Sequence, residues 1–207
     1  MQSVDGLQFV MRGRVQTQPS IPRTPDQVLI ESVVRGDKRA LELLFTRHSA
    51  RMYRFVLRIT ANACLSEDVV SEVFLDVWRR ADRFHAKSQV STWLFAIARN
   101  KALQALRSRS HERLDEQETA TLVDAGSDPE ISLQQKSRGS IIRKCLSQLP
   151  PAQREIVDLV YYHEKSVAEV AQIVGIPAGT VKTRMFRARS RMAELLAQAG
   201  LDNFDEC

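Results

Sequence analysis

Ser166–Arg191, SVAEVAQIVGIPAGTVKTRMFRARSR, constrains this 207-residue chain more than any other stretch. Ser166 followed three residues later by Glu169 spells a capping box, in which each side chain reaches the other's backbone N–H and opens a helix. Ala171 is small enough for a close helix contact, Gly175 suits a left-handed turn, and Val181 supplies an apolar anchor beyond it. The pattern predicts a helix-turn-helix. From Gly179 onward Val181, Met185, Ala188 and Met192 recur at three- and four-residue steps and are expected to face inward. Lys182, Thr183, Phe186, Arg187 and Ser190 then share the opposite face, with Arg184, Arg189 and Arg191 on its flanks. Such a helix can enter a major groove, its N-terminal residues at base edges and its flanking arginines on phosphates. A cationic helix alone is more often a solvated face. Here the turn glycine, the cap, the apolar seam and the charged face agree with one another.

Composition narrows the architecture around that motif. Hydrophobic residues at 43% and charged residues at 27% are ordinary for a globular chain, and aromatics are few at 6%. Eight glycines and seven prolines are too few for a turn-rich β protein, and no stretch alternates with period two. The expected class is all-α: two small helical bundles joined by a flexible linker.

Charge is divided in the same way. Residues 31–113 hold 16 Lys/Arg against 9 Asp/Glu, and residues 136–200 hold 11 against 5. Between them residues 114–135 hold 6 acids and no base, and three more acids fall in the last seven residues. Two basic lobes across an acidic linker point to two separate contacts with a polyanion.

Cys64, Cys145 and Cys207 are far apart, odd in number and without CxxC spacing, which argues for a reducing compartment rather than a disulfide framework. Met1–Val15 lacks the apolar core of a signal peptide, and no run approaches the ~18 apolar residues of a membrane span. A cytoplasmic protein is expected, with no cofactor. His48, His85, His111 and His163 have no ligand spacing with the cysteines or with each other. Asp68 and Glu72 could share a cation at i, i+4, but no inward-facing histidine completes that site, so no metal is expected. No nucleophile–base pair or glycine-rich phosphate loop stands out, so no catalytic residue is assigned.

Along the chain, residues 1–25 are polar, with prolines at 19, 22 and 25, and read as a flexible extension in which Met11 is a second potential start. Leu29, Val33 and Val34 mark a short helix ending near Gly36–Asp37, and a longer amphipathic helix follows through Thr60. Ala61–Leu65 reads as a break, with Ser66 as the cap of a third helix, Glu67–Arg80. A loop at Ala81–Val90 precedes Ser91, a candidate cap for the helix Thr92–Arg109. The linker 114–135 carries Gly126 and Pro129. The second bundle, 136–200, takes a helix ending at Pro150–Pro151, another marked by Ile156–Val160, and the two helices of the opening motif.

The third helix has an almost purely acidic polar face. Asp68, Glu72 and Asp76 fall at four-residue steps on one stripe, beside Val69, Val73 and Val77. An acidic stripe on a basic lobe repels DNA and suits a basic partner helix, with apolar neighbours supplying buried area. The loop Phe84–Val90 leads into Trp93 and a basic helix, an arrangement fit to hold unstacked single-stranded bases. Trp78 and Trp93 are themselves more often core residues.

Three ordered motifs, SEDVVSEVFLDVWRR, STWLFAIARNKALQALR and LSQLPPAQREIVDLVYYHEKSVAEVAQIVGIPAGTVKTRMFRAR, resemble the extracytoplasmic-function (group IV) branch of the bacterial sigma-70 family over residues 28–195. The resemblance implies a promoter-specificity subunit of RNA polymerase, itself no enzyme. Residues 26–113 would be region 2, where Asp68, Glu72, Phe74, Leu75 and Asp76 would bind the clamp helices of the largest subunit of core RNA polymerase. Phe84, His85, Lys87, Ser88 and Thr92, with Arg99, Asn100 and Lys101, would engage the −10 element of promoter DNA, flipping a base and holding the non-template strand open.

Residues 136–200 would contain region 4, with Lys182, Thr183, Phe186 and Arg187 reading −35 bases and Thr180, Arg184 and Arg189 on phosphates. The acidic linker would thread a basic channel of the polymerase, and residues 201–207 form an acidic tail. The domain that other sigma branches place between these regions is missing, as this branch requires. The loop HAKSQVS departs from any fixed family string, which leaves its base preference open. A cognate anti-sigma factor is a further partner implied by the resemblance alone. The alternative function is a free-standing helix-turn-helix regulator of duplex operators, which explains the C-terminal motif but leaves the acidic helix without a role.

Overall fold

The structure, a computed structural model, describes residues 25–86, 88–112 and 133–200. Residues 1–24, Lys87, residues 113–132 and the acidic tail 201–207 lie outside the described residues. Among the described residues every regular element is helical. They divide into two compact units, 25–112 with 168–176, and 133–167 with 177–200.

The first unit opens with α1, Asp26–Val34, entered through Pro25 and closed at Gly36, whose φ of +85° is the left-handed geometry glycine adopts without strain. Asp37 caps α2, Lys38–Thr60, its carboxylate accepting from the amides of Arg39 (2.9 Å) and Ala40 (3.4 Å). Ala61 turns left-handed to end it.

Helix α3 runs Ala63–Arg80 and starts earlier than the sequence suggests. Asn62 is the cap, accepting from Leu65 N at 2.8 Å. Ser66 lies inside the helix, buried, its hydroxyl donating to the Asn62 carbonyl (2.6 Å) and lying 2.8 Å from Thr60 Oγ1. Both Asn62 and Ser66 are good caps by type. Asn62 stands directly after the left-handed residue that ends α2, so the chain restarts there. A short 3₁₀ turn, Ala81–Arg83, follows, and α4 runs Val90–Glu112, taking Ser91 into the helix instead of using it as a cap.

Helices α2, α3 and α4 pack around Leu44, Met52, Val56, Val73, Val77 and Leu94, with Phe55 and Phe95 ring centroids 5.1 Å apart. Trp78 and Trp93 are half-buried, Trp93 lying 5.4 Å from the Phe84 ring.

In the second unit α5 spans Leu133–Ser147, so its first turn takes in residues assigned above to the linker. Pro151 starts α6, Pro151–Val157, which widens into a π turn at Asp158–Tyr162. Arg154 secures the junction by donating to the carbonyls of Ser147 and Leu149. Helix α7, Val167–Val174, falls almost wholly in the first unit; at its end Gly175 takes φ +72° and the amides of Gly175 and Ile176 both close on Ala171 O. Helix α8, Ala178–Gln198, follows from Pro177 and packs against α5 and α6.

Candidate functional site

Helix α8 sorts its residues as its periodicity requires. Val181, Met185, Ala188 and Met192 are buried, while Lys182, Thr183, Phe186, Arg187 and Ser190 are exposed. Phe186 is 71% exposed, the most open large hydrophobic side chain among the described residues. A phenyl ring standing in water beside cations has its contact surface ready before any partner arrives. Thr180, Arg184 and Arg189 are half-buried on the flanks. Arg189 is held in place: its Nε donates to Tyr161 Oη at 2.9 Å, and its guanidinium carbon lies 5.9 Å from the Tyr161 ring centre. Thr183 and Ser190 return their hydroxyls to the helix, onto the carbonyls of Gly179 and Phe186.

In the first unit Asp68 and Glu72 are exposed on α3, Asp76 is half-buried, and Leu75 between them is 51% exposed. An open leucine flanked by carboxylates is the mixed patch expected of a helix that docks a basic, amphipathic partner. Phe74 departs from the expectation. It is 5% exposed and meets Phe45 edge-on at 4.9 Å, because its position on α3 turns it inward beside Val70 and Val73. Its contribution is packing.

Lys101 joins two groups of residues that the sequence kept apart. Projecting from α4, its Nζ lies 3.0 Å from Asp76 Oδ2 and 3.2 Å from Glu72 Oε2. Partial burial works against the ammonium charge, but the hydrogen bonds it donates to Asp76 and Glu72 outweigh it and hold Lys101 above the usual lysine range. A residue expected at −10 DNA is thus tied to the stripe expected to dock polymerase. The spacing of 29 residues gave no sign of it.

Of the remaining −10 candidates, His85 and Asn100 are exposed, and Phe84, Ser88 and Arg99 are half-buried. Thr92 differs. It is 1% exposed at the start of α4, where the third residue of the helix points into the packed interior. Lys87 lies outside the described residues.

Comparison with known proteins decides what these surfaces belong to. The family model "Sigma-70 region 2" matches residues 44–112, and "Sigma-70, region 4" matches residues 140–192. The RNA polymerase sigma-H factor of Pseudomonas aeruginosa is 31% identical over 181 residues, covering 83% of this chain and 93% of that protein. This chain is an extracytoplasmic-function sigma factor of the sigma-70 family.

The sigma-E factor of Escherichia coli is 32% identical over 173 residues, covering 79% and 90% of the two chains. The sigma factor RpoE of Bartonella quintana, solved in complex with the anti-sigma factor NepR, superposes with a TM-score of 0.61 at 26% identity, over 75% of this chain and 96% of that one. The all-α, two-bundle class holds, and the sigma reading stands over the free-standing regulator. Sigma factors are not known as enzymes. Among the described residues no helix is long and apolar enough to cross a membrane.

Proposed function

We propose that this sigma factor divides its work between an acidic docking helix and two DNA-reading surfaces. The single observation that carries this is α3: Asp68 and Glu72 stand exposed around a half-exposed Leu75, on a lobe whose remaining charge is mostly basic. Core RNA polymerase takes that stripe through the basic clamp helices of its largest subunit. The charges give orientation and the leucine gives buried area.

Region 2, residues 26–113, then presents Phe84, His85 and Ser88, with Arg99 and Asn100, to the −10 element. Lys101 joins them once the clamp competes for Glu72 and Asp76. Region 4, within residues 136–200, sets Lys182, Thr183, Phe186 and Arg187 at −35 bases, with Thr180, Arg184 and Arg189 on phosphates. Each bound element raises the effective concentration of the other, so two weak contacts become one selective one. Opening draws on captured bases, each aromatic stack contributing on the order of 1–3 kcal/mol, with no nucleotide hydrolysis by this chain.

Work of this kind is done in the cytoplasm. An anti-sigma factor that covers the same surfaces is the expected regulator, in line with the Bartonella quintana complex. Pull-down with core polymerase, followed by run-off transcription from promoters with defined −10 and −35 elements, tests the reading. A protein that shifts duplex DNA alone at nanomolar concentration and ignores core enzyme would refute it.

A further inference from the structure

Thr92 is 1% exposed, and part of what covers it is a carboxylate. Its hydroxyl donates to Glu169 Oε1 at 2.7 Å, across 77 positions of chain. Glu169 belongs to α7, and residues 168–176 are part of the first compact unit together with 25–112. Thr92 falls in region 2 and Glu169 in region 4. One hydrogen bond inside a single packed unit therefore joins a −10 candidate to the first helix of the helix-turn-helix.

We propose that Glu169 is an autoinhibitory latch. Its carboxylate holds the Thr92 hydroxyl that an anionic oxygen of the opened −10 strand takes in the working complex, so α7 must let go before the strand is captured. The competition rests on the reading of the start of α4 as −10 surface; the latch contact does not.

Two observations favour an exchange of this kind. The first is the chemistry of the bond. A hydroxyl 2.7 Å from a carboxylate makes a charge-assisted hydrogen bond, shorter and stronger than one to a neutral acceptor. Phosphate oxygens are anionic acceptors of the same kind, so a hydroxyl suited to one is suited to the other.

The second is position. Thr92 is the third residue of the 23-residue helix α4, in the turn where the helix dipole favours negative charge. Its neighbour Trp93 lies 5.4 Å from the Phe84 ring, at the edge of the loop fitted to unstacked bases. Glu169 thus brings an anion to the side of the aromatic pair where the backbone of a stacked strand has to run. The helix that carries it has work of its own at DNA, since the first helix of such a motif crosses the duplex backbone. Held on α4, α7 is withdrawn from that crossing, and one contact restrains both readings.

A single bond of this type is weak enough to be exchanged. Closed in roughly two-thirds of free molecules, it lowers affinity for a strand about threefold.

The test uses the full chain. Thr92→Cys with Glu169→Cys, in a background of Cys64→Ser and Cys207→Ser, is treated with a short bis-methanethiosulfonate. Dilute protein is expected to form a bridge within one chain. The bridged form is expected to bind fluorescein-labelled oligo(dT) at least threefold more weakly than the same protein after reduction. No bridge, or bridges joining two copies, would overturn the latch. A bridge that leaves oligo(dT) binding unchanged would make the contact structural and overturn the competition.

Glu169→Gln, with Thr92 in place, is expected to tighten oligo(dT) binding about threefold, while Glu164→Gln, the same charge change at an exposed position just before α7, has no such effect. Unchanged affinity in Glu169→Gln, or equal gains in both variants, would overturn the competition. A selective gain in a protein that never binds core polymerase would uphold the latch and sink the docking-helix reading instead.

Discussion

The two charged faces of this sigma factor are built on opposite plans. On α3 the carboxylates are engaged from within, Glu72 and Asp76 both holding Lys101 of α4. On α8 the face that would meet DNA looks outward, with Lys182, Arg187 and a 71% exposed Phe186 standing in solvent. A face already paired must exchange one ion pair for another, so its partner gains through fit and burial more than through raw charge. An open cationic face gains chiefly by releasing counterions, and its binding weakens steeply with salt. The contrast teaches that docking to polymerase is to be selective and DNA contact permissive until the two are combined.

Reversing the inner face is the sharpest way to break that contrast. Glu72→Arg with Asp76→Arg sets three cations together on α3 and α4. Truncating or reversing interfacial charge pairs costs about 2–5 kcal/mol, or roughly 30-fold to several thousand-fold in core affinity. Circular dichroism is expected to remain helical. Unchanged affinity with an unchanged spectrum would make α3 a solvated face.

On the outer face Arg187→Ala is expected to cost about 1–3 kcal/mol in −35-dependent transcription, with core binding intact. Equal loss of both would remove Arg187 from base reading. Arg189→Gln is milder. Lost phosphate contact lowers the slope of log affinity against log salt by about 1, across all sequences. Tyr161→Phe keeps the ring but removes the hydroxyl that orients Arg189, and is expected to reproduce part of that change. A sequence-selective effect would move Arg189 to the base-reading group.

How much of this was legible in the sequence follows from the range of each signal. The inward and outward sides of α8 could be read because helical periodicity is local and its apolar seam is unbroken from Val181 to Met192. The acidic stripe of α3 was legible for the same reason. The inward turn of Phe74 was missed although it is local too: Phe74 lies across the helix from Asp68, Glu72 and Asp76, in line with the buried Val70 and Val73, and it packs on Phe45, 29 residues earlier in the chain. Lys101 reads as a −10 element contact until a fold brings α4 onto α3. The start of α3 was misplaced because two good caps stand four residues apart.

Nothing in the run DLVYYHEKS announced that Asp158, His163 and Lys165 would all be buried. The π turn at Asp158–Tyr162 draws them in, and His163 Nε2 comes within 3.4 Å of Asp158 Oδ2. Periodicity read for an ordinary helix cannot foresee a wider turn.

The smallest effect asks whether internal pairing is a property of the whole first unit or only of α3. Asp26 is paired like Glu72 and Asp76, but with Arg47 and His48 of α2. The hydrogen bond from His48 lowers its pKa most; burial opposes the shift, and Arg47 adds to it, so the carboxyl titrates below its ordinary 3.8. A depressed carboxylate pKa contributes stability that is present above the unfolded value and lost as pH falls through the folded one. Asp26→Asn is therefore expected to lower the melting temperature by a few degrees near neutral pH, for a loss of about 1 kcal/mol, and to converge with the unsubstituted protein in strong acid. DNA affinity through α8 is expected to be the same in both. A gap that persists undiminished below pH 3 would mean that Asp26 acts through shape, and the pairing logic would then belong to α3 and α4 alone.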